Sequence, residues 1–226
     1  NADQHEAALF TYMEAVQNRH SRGLLDETLS LITSGLAEAQ EVARDTALPV
    51  TSQLWTIQAQ TYNALNRFGE ASAAAETALK LLEELPYDQL VDVRVTAARI
   101  LGMAYRSLGQ YDKAFDALTH AFNMTPHGDS MLLAHVLGSF GSLAMYQGKL
   151  DECLAYQQRA YHHAERTEQR STLNGNLTQL GLVAFEKGNM AQALDYFERV
   201  LDVNLNRENT HYQILDLRNI GATYLY

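Results

Sequence analysis

The chain has 226 residues, 46% of them apolar, with 17 Lys and Arg against 27 Asp and Glu, a formal net charge of −10, one Cys and three Pro. That length and apolar content predict a folded core in one or two domains and exclude a disordered acidic tail. The acidic balance argues against a nucleic-acid module, one cysteine supports neither an internal disulfide nor a Cys-rich zinc site, and no apolar run approaches the roughly 18 uninterrupted residues of a membrane span.

In chain order, apolar residues recur at helical spacing and no stretch alternates as a half-buried strand does. The pattern predicts helices over about 4–20 and 24–44, parted by Gly23, with Asp26 opening the second, where the macrodipole favours an acid. Pro49 precedes a helix over 50–65, and Asn66 introduces 68–84 with Glu70 near its start. Pro86 precedes 88–108, Gly109 introduces 111–124 with Asp112, and Pro126 closes that helix. His127 and Asp129 are expected at the helix entry that follows, ahead of 129–147. Gly148 introduces 150–168 with Asp151, helices over 171–187 and 190–205 flank Gly188, and the last runs over 210–226. All three prolines are thus expected between helices, where the missing N–H costs least.

The helices share a repeating frame. A marker in each first helix recurs at Val16, Ala59, Gly102, Gly141, Gly181 and Gly221, at intervals of 43, 43, 39, 40 and 40. Seven residues on come Gly23, Asn66, Gly109, Gly148 and Gly188, types that tolerate a left-handed helix end. Twelve on come Thr28, Ala71, Ala114, Cys153 and Ala193, and nineteen on come Gly35, Ala78, Ala121, Ala160 and Val200, side chains small enough for close helix approach. Four before it stand Tyr12, Trp55, Ala98, Leu137, Leu177 and Leu217, mostly large apolar knobs. Tyr62, Tyr105 and Tyr224 follow the marker by three and are expected in the core.

These slots resemble the tetratricopeptide repeat, with its W-x2-L-G-x2-Y first helix, A-x3-F second helix and closing Pro. Leu101, Gly102, Tyr105, Ala114, Ala121 and Pro126 match best, and Trp55, Tyr62, Ala71 and Ala78 make a partial second match. The period exceeds the family's usual 34 residues by 5 to 9, about one and a half to two and a half helical turns, as in long-helix variants of bacterial signalling proteins. The first repeat is weakest, with Val16 and Arg19 in place of a small residue and an aromatic. The resemblance implies an all-α fold, a right-handed α-α superhelix of about five and a half hairpins. It implies a single repeat domain over 1–226, with repeats near 4–46, 47–86, 87–126, 127–169 and 170–207 and a partial one over 208–226.

The same resemblance implies a concave wall of first helices that binds a peptide or protein, as the regulatory or sensory part of a larger bacterial signalling protein. First-helix residues not used for packing are expected there: Gln60, Asn63, Thr96, Arg99, Met103, Arg106, His135, Ser139, Ser142, Thr178, Gln179, Leu182, Arg218 and Asn219. Arg99, Arg106 and Arg218 with few acids predict a ligand of acidic or carboxylate character; the alternative is that these arginines are solvated or paired with neighbouring acids. A chaperone-tail clamp is not matched, because Met103 and Ser142 stand where Asn is wanted. The second functional reading is a sensor that encloses a short peptide or small anion inside the solenoid. A homodimer through the exposed C-terminal repeat is a further expectation.

Catalytic patterns are weak. Gly138-Ser139-Phe140-Gly141-Ser142 lacks the G-x-S-x-G spacing and a preceding strand, so helix packing is the better reading. His162 and His163 with Glu165 invite a metal, yet adjacent helical side chains diverge by about 100°. Cys153 is expected as a buried thiol, and carboxylate pairs such as Glu83 and Glu84 as solvated helix ends. No phosphate loop, dinucleotide motif or zinc-protease motif is present, so no enzyme, cofactor or metal is expected. No targeting pattern follows Asn1, and Arg218–Tyr226 stops inside an apolar helical stretch; a cytoplasmic piece of a longer protein is expected.

Overall fold

A computed structural model describes residues 2–126, 128, 130–167, 170–205 and 210–225, with the side chains of 130, 170, 171, 203, 210–213, 215 and 216 outside that description. His127 and Asp129, expected at a helix entry, also lie outside the described residues. Among the described residues the elements are helical throughout: α1 (Ala2–Ser21), α2 (Leu25–Glu38), a 3-10 turn at Ala39–Glu41, α3 (Arg44–Ala64), α4 (Phe68–Leu82), α5 (Val91–Ser107) and α6 (Tyr111–Met124). They continue with α7 (Ser130–Tyr146), α8 (Leu150–Glu165), α9 (Arg170–Glu186), α10 (Met190–Leu205) and α11 (Thr210–Tyr224). No described helix is long and apolar enough to cross a membrane.

The hairpin turns follow from single residues. Gly23, Asn66, Gly109, Gly148 and Gly188 have φ of 72°, 59°, 73°, 72° and 76°, the left-handed geometry that closes a helix. Each donates its N–H to the carbonyl three back, and the next residue reaches five back, as in Gly109 N to Arg106 O at 3.0 Å and Gln110 N to Tyr105 O at 2.9 Å. Carbonyls left open at the helix end are thereby satisfied. The second helix then begins at once.

One expectation is overturned here. Pro49 lies inside α3, which begins at Arg44 rather than near residue 50. Its missing N–H would have bonded the carbonyl of Asp45 in the first turn of α3, and Asp45 is exposed, so the carbonyl left over is not sealed in the core. Pro86 and Pro126 do lie outside helices.

The chain divides into two compact units, Asn1–Pro126 and His127–Tyr226. In the first unit, α1 with α2, α3 with α4 and α5 with α6 form hairpins, and α1, α3 and α5 also pack side by side. No hairpin closes its own core: Leu54 of α3 joins Leu9 and Val16 of α1 and Ile32 of α2 in one cluster. Each such side chain contributes about 1.5–3 kcal/mol through burial. In the second unit, α7 pairs with α8 and α9 with α10, α9 packs beside α7, and α11 lies on α10.

The small slots are buried as expected. Thr28, Ala71, Ala114, Cys153 and Ala193 are all 0% exposed. Three of the markers are glycine where a large side chain arrives sixteen residues later, whereas Val16 meets Ile32 in one buried cluster. A Cβ on Gly102 would stand 2.7 Å from Leu118 Cγ, one on Gly141 2.6 Å from Gln157 Nε2, and one on Gly181 2.5 Å from Phe197 Cε1. With Ala59 as marker the arriving residue is Ala75, which is small.

Tyr62 and Tyr105 pack, partly buried, against the cluster containing Ala59 and Leu101. Tyr224 departs from that expectation at 70% exposed, and Leu217, expected as a knob, is 56% exposed. Among the described residues α11 packs chiefly on α10, and its Ile220 reaches the cluster of Ala184, Ala193 and Phe197. Arg94, which the sequence pattern did not single out, is buried and ties the loop before α5 in place. Its Nη2 donates to the carbonyls of Leu85 and Pro86, both at 3.0 Å, and its Nε to that of Gln89 at 3.2 Å.

Candidate functional site

Residues six before, three before, one after and four after a marker share one helix face. In the first unit that face carries Gln53, Thr56, Gln60 and Asn63 on α3, beside Thr96, Arg99, Met103 and Arg106 on α5. Where it meets α1 there is a shallow depression of about 180 Å³, lined by Met13, Gln17, Gln53, Thr56, Ile57, Gln60, Asp92, Val93 and Thr96. Two expected residues, Gln60 and Thr96, are brought together there. Gln17, Gln53 and Asp92 were not expected, although Gln17 has the same offset from Val16 as Gln60 from Ala59, and Gln53 the same offset as Thr96. That offset rule is the signal that would have found Gln17 and Gln53.

Arg99 is partly exposed on α5, one turn beyond Thr96. Its Nη1 donates to Met103 Sδ at 3.1 Å, and it makes no ion pair among the described residues. Burial alone draws its guanidinium down to about 10, with no carboxylate near enough to offset that. It remains charged at neutral pH. Other arginines do meet acids: Arg19 meets Glu27 at 2.9 Å and Arg44 meets Glu84 at 2.6 Å. Met103 itself packs against the Ala59 and Leu101 cluster. Arg106 Nη2 donates to Ser107 Oγ at 3.1 Å. Asn63 Oδ1 is buried with no hydrogen-bond partner among the described residues, an acceptor left over on the same face.

In the second unit His135 Nε2 meets Thr172 Oγ1 at 2.9 Å, linking α7 to α9. Ser139 is buried within α7 and its hydroxyl donates to the His135 carbonyl at 3.0 Å. Ser142 and Gln179 are partly exposed, as is Thr178, whose hydroxyl donates to the Asn174 carbonyl at 3.0 Å. Arg218 is exposed on α11, and the Asn219 carbonyl receives the Thr223 hydroxyl at 2.9 Å. A separate cavity of about 470 Å³ is lined by Leu173, Leu177, Asp195, Glu198, Arg199 and Asp202.

The His162 and His163 rings lie 6.2 Å apart with planes at 67°, and among the described residues no three His, Cys, Asp or Glu converge as metal ligands. Cys153 is fully buried, and burial pushes its thiol up to about 11, away from the reactive thiolate.

Stacked helical hairpins with a polar face on their first helices define the class, an all-α helical-repeat protein. Within that class the tetratricopeptide repeat family model matches residues 100–127 and 176–207. No curated protein matches the sequence. Among solved structures, a Rap protein complexed with competence and sporulation factor is similar at TM-score 0.82 and 13% identity, over 96% of this chain and 62% of that one. BtubC (BKLC) from P. vanneervenii is similar at TM-score 0.65 and 18% identity, over 92% and 93% of the two chains. A signal transduction ATPase with a tetratricopeptide repeat sensor, PH0952 from Pyrococcus horikoshii, is similar at TM-score 0.72 and 13% identity, over 98% of this chain and 34% of that one. At these identities the likeness is one of fold.

Proposed function

We propose that this chain is a non-catalytic, protein- or peptide-binding regulatory module of a larger bacterial signalling protein, with its ligand laid across α1, α3 and α5. The observation that carries this is the amide-rich depression spanning three first helices, with Arg99 beside it. Glutamine side chains offer both donors and acceptors, which suits a peptide backbone. A volume of about 180 Å³ is below the roughly 300–1,000 Å³ of enclosed small-molecule pockets, so a segment lying over the surface is favoured above a small ligand swallowed whole. Likeness to a Rap protein complexed with a factor, and to a protein with a repeat sensor, supports the regulatory part of the reading.

Filling the depression tests it. Peptide-array hits are remeasured by fluorescence anisotropy on the wild type and on Gln60→Trp, with thermal unfolding as the folding control. Loss of binding by about tenfold or more at unchanged stability is expected, since a blocked contact forfeits at least about 1.4 kcal/mol. Full retention of binding would remove this face from the function.

A further inference from the structure

Building on the peptide reading above, we infer that the bound segment is dipolar, carrying one carboxylate that meets Arg99 and one cationic group about 10 Å away that meets Asp92. The two residues lie seven apart on α5, two turns, so they share a face and their Cα atoms are separated by about 10 Å along the axis. That is too far for them to neutralise one another. Neither makes an ion pair among the described residues. Thr96 stands between them, and Asp92 and Thr96 both line the depression.

The two charges carry different weight. Asp92 lies in the first turn of α5, where the macrodipole alone favours an acid. Arg99 has no comparable internal reason: it sits mid-helix, only partly exposed, and among the described residues its side chain bonds a thioether and no acid. A guanidinium in that state gains most from a carboxylate, which takes both arms of its fork. Arg99 therefore sets the requirement for an anion, and Asp92 sets what stands at the other end.

Net charge decides between a polyacidic and a dipolar partner. At −10 the chain repels a strongly acidic ligand at long range, and Asp92 repels it again at the depression itself. A segment with one charge of each sign meets neither obstacle. A polyproline II segment rises about 3.1 Å per residue with three residues per turn, so a basic and an acidic residue three positions apart stand on one side of it and about match the spacing on α5. The amides of Gln17, Gln53 and Gln60 then face the backbone between them.

The test uses the whole chain and fluorescein-labelled peptides with Ser-Gly flanks and the cores Lys-Ala-Ala-Glu, Glu-Ala-Ala-Glu, Lys-Ala-Ala-Lys and Gln-Ala-Ala-Gln, at low salt. The dipolar core is expected to bind about tenfold tighter than the uncharged one. Arg99→Gln should abolish that advantage, and the exposed Asp92→Asn, which carries little folding risk, should reduce it several-fold. A fifth peptide, Lys-Ala-Ala-Gln ending as free acid or as amide, separates a terminal carboxylate from an acidic side chain as the source. Equal binding of dipolar and uncharged cores would overturn the dipolar inference and leave the peptide reading standing. Preference for Glu-Ala-Ala-Glu would overturn the role of Asp92, and no binding of any peptide up to millimolar concentration would overturn both readings.

Discussion

Arg94 and Arg99 stand five residues apart on α5 and differ in what meets their guanidinium groups. Arg94 spends its donors on three backbone carbonyls of the preceding loop, at 3.0, 3.0 and 3.2 Å. Replacing it by methionine keeps the stem and strands those carbonyls, so Arg94→Met should cost about 2 kcal/mol in urea unfolding. Arg94→Lys should recover little, because an ammonium cannot fork between them. Arg99→Met removes a desolvated cation that no acid offsets, and stability should hold or rise by about 0.5–1 kcal/mol. If both variants lose stability alike, the contrast between a structural and a ligand-facing arginine fails. His20 adds a pH dependence. Its Nδ1 lies 3.2 Å from Thr61 Oγ1, and that hydroxyl already donates to the Ile57 carbonyl at 2.7 Å, so the imidazole is the donor. Burial lowers the His20 pKa below the usual 6.5, hence below its value in the unfolded chain. The unfolded chain then binds more protons in acid: this contribution is complete above 6.5 and is lost as pH falls through the lowered folded value. His163 is lowered in the same direction, chiefly by burial. His20→Gln should therefore flatten the decline in melting temperature below pH 6.5 without removing it.

At the scale of the element, hairpins are keyed by a marker and the residue sixteen positions later. Gly102→Ala places a Cβ 2.7 Å from Leu118 Cγ and 3.1 Å from the Ala114 carbonyl, a clash expected to cost about 1–3 kcal/mol. Adding Leu118→Ala to it recreates the Ala59 and Ala75 pairing of the previous hairpin. The double variant should therefore lose less than the sum of the two single losses, and simple additivity in a double-mutant cycle would refute the keying. This level was the most legible in the sequence. α6 and α10 run over 111–124 and 190–205 as the spacing predicts, because the residues that stop and start them are local and chemically distinct. Pro49 was not legible, since its tolerance depends on the exposure of one carbonyl a turn away. Nor was Arg94, whose partners are backbone carbonyls and so leave no trace in residue type. The site was half legible: Gln60 and Thr96 were reached by their offsets, while Gln17 was hidden by the atypical first repeat and Asp92 lies a turn beyond the offsets that were used.

At the scale of the whole molecule, a repeat protein draws its stability from neighbours, so a group of consecutive repeats can stand without the rest. The boundary between the two compact units falls at Pro126, outside any helix, and α1, α3 and α5 all precede it. The buried cluster of Leu9, Val16, Ile32 and Leu54, and the Arg94 clasp on the loop before α5, are both complete within residues 1–126. A fragment of residues 1–126 should accordingly be helical by circular dichroism and unfold cooperatively. It should also bind array peptides within about threefold of the full chain, because the depression and Arg99 are intact in it. A folded fragment that binds nothing the full chain binds would move the site into the second unit, to the face carrying His135, Ser142 and Gln179. A fragment that does not fold would show instead that the first unit needs its neighbour for stability, which makes the whole chain the smallest cooperative element.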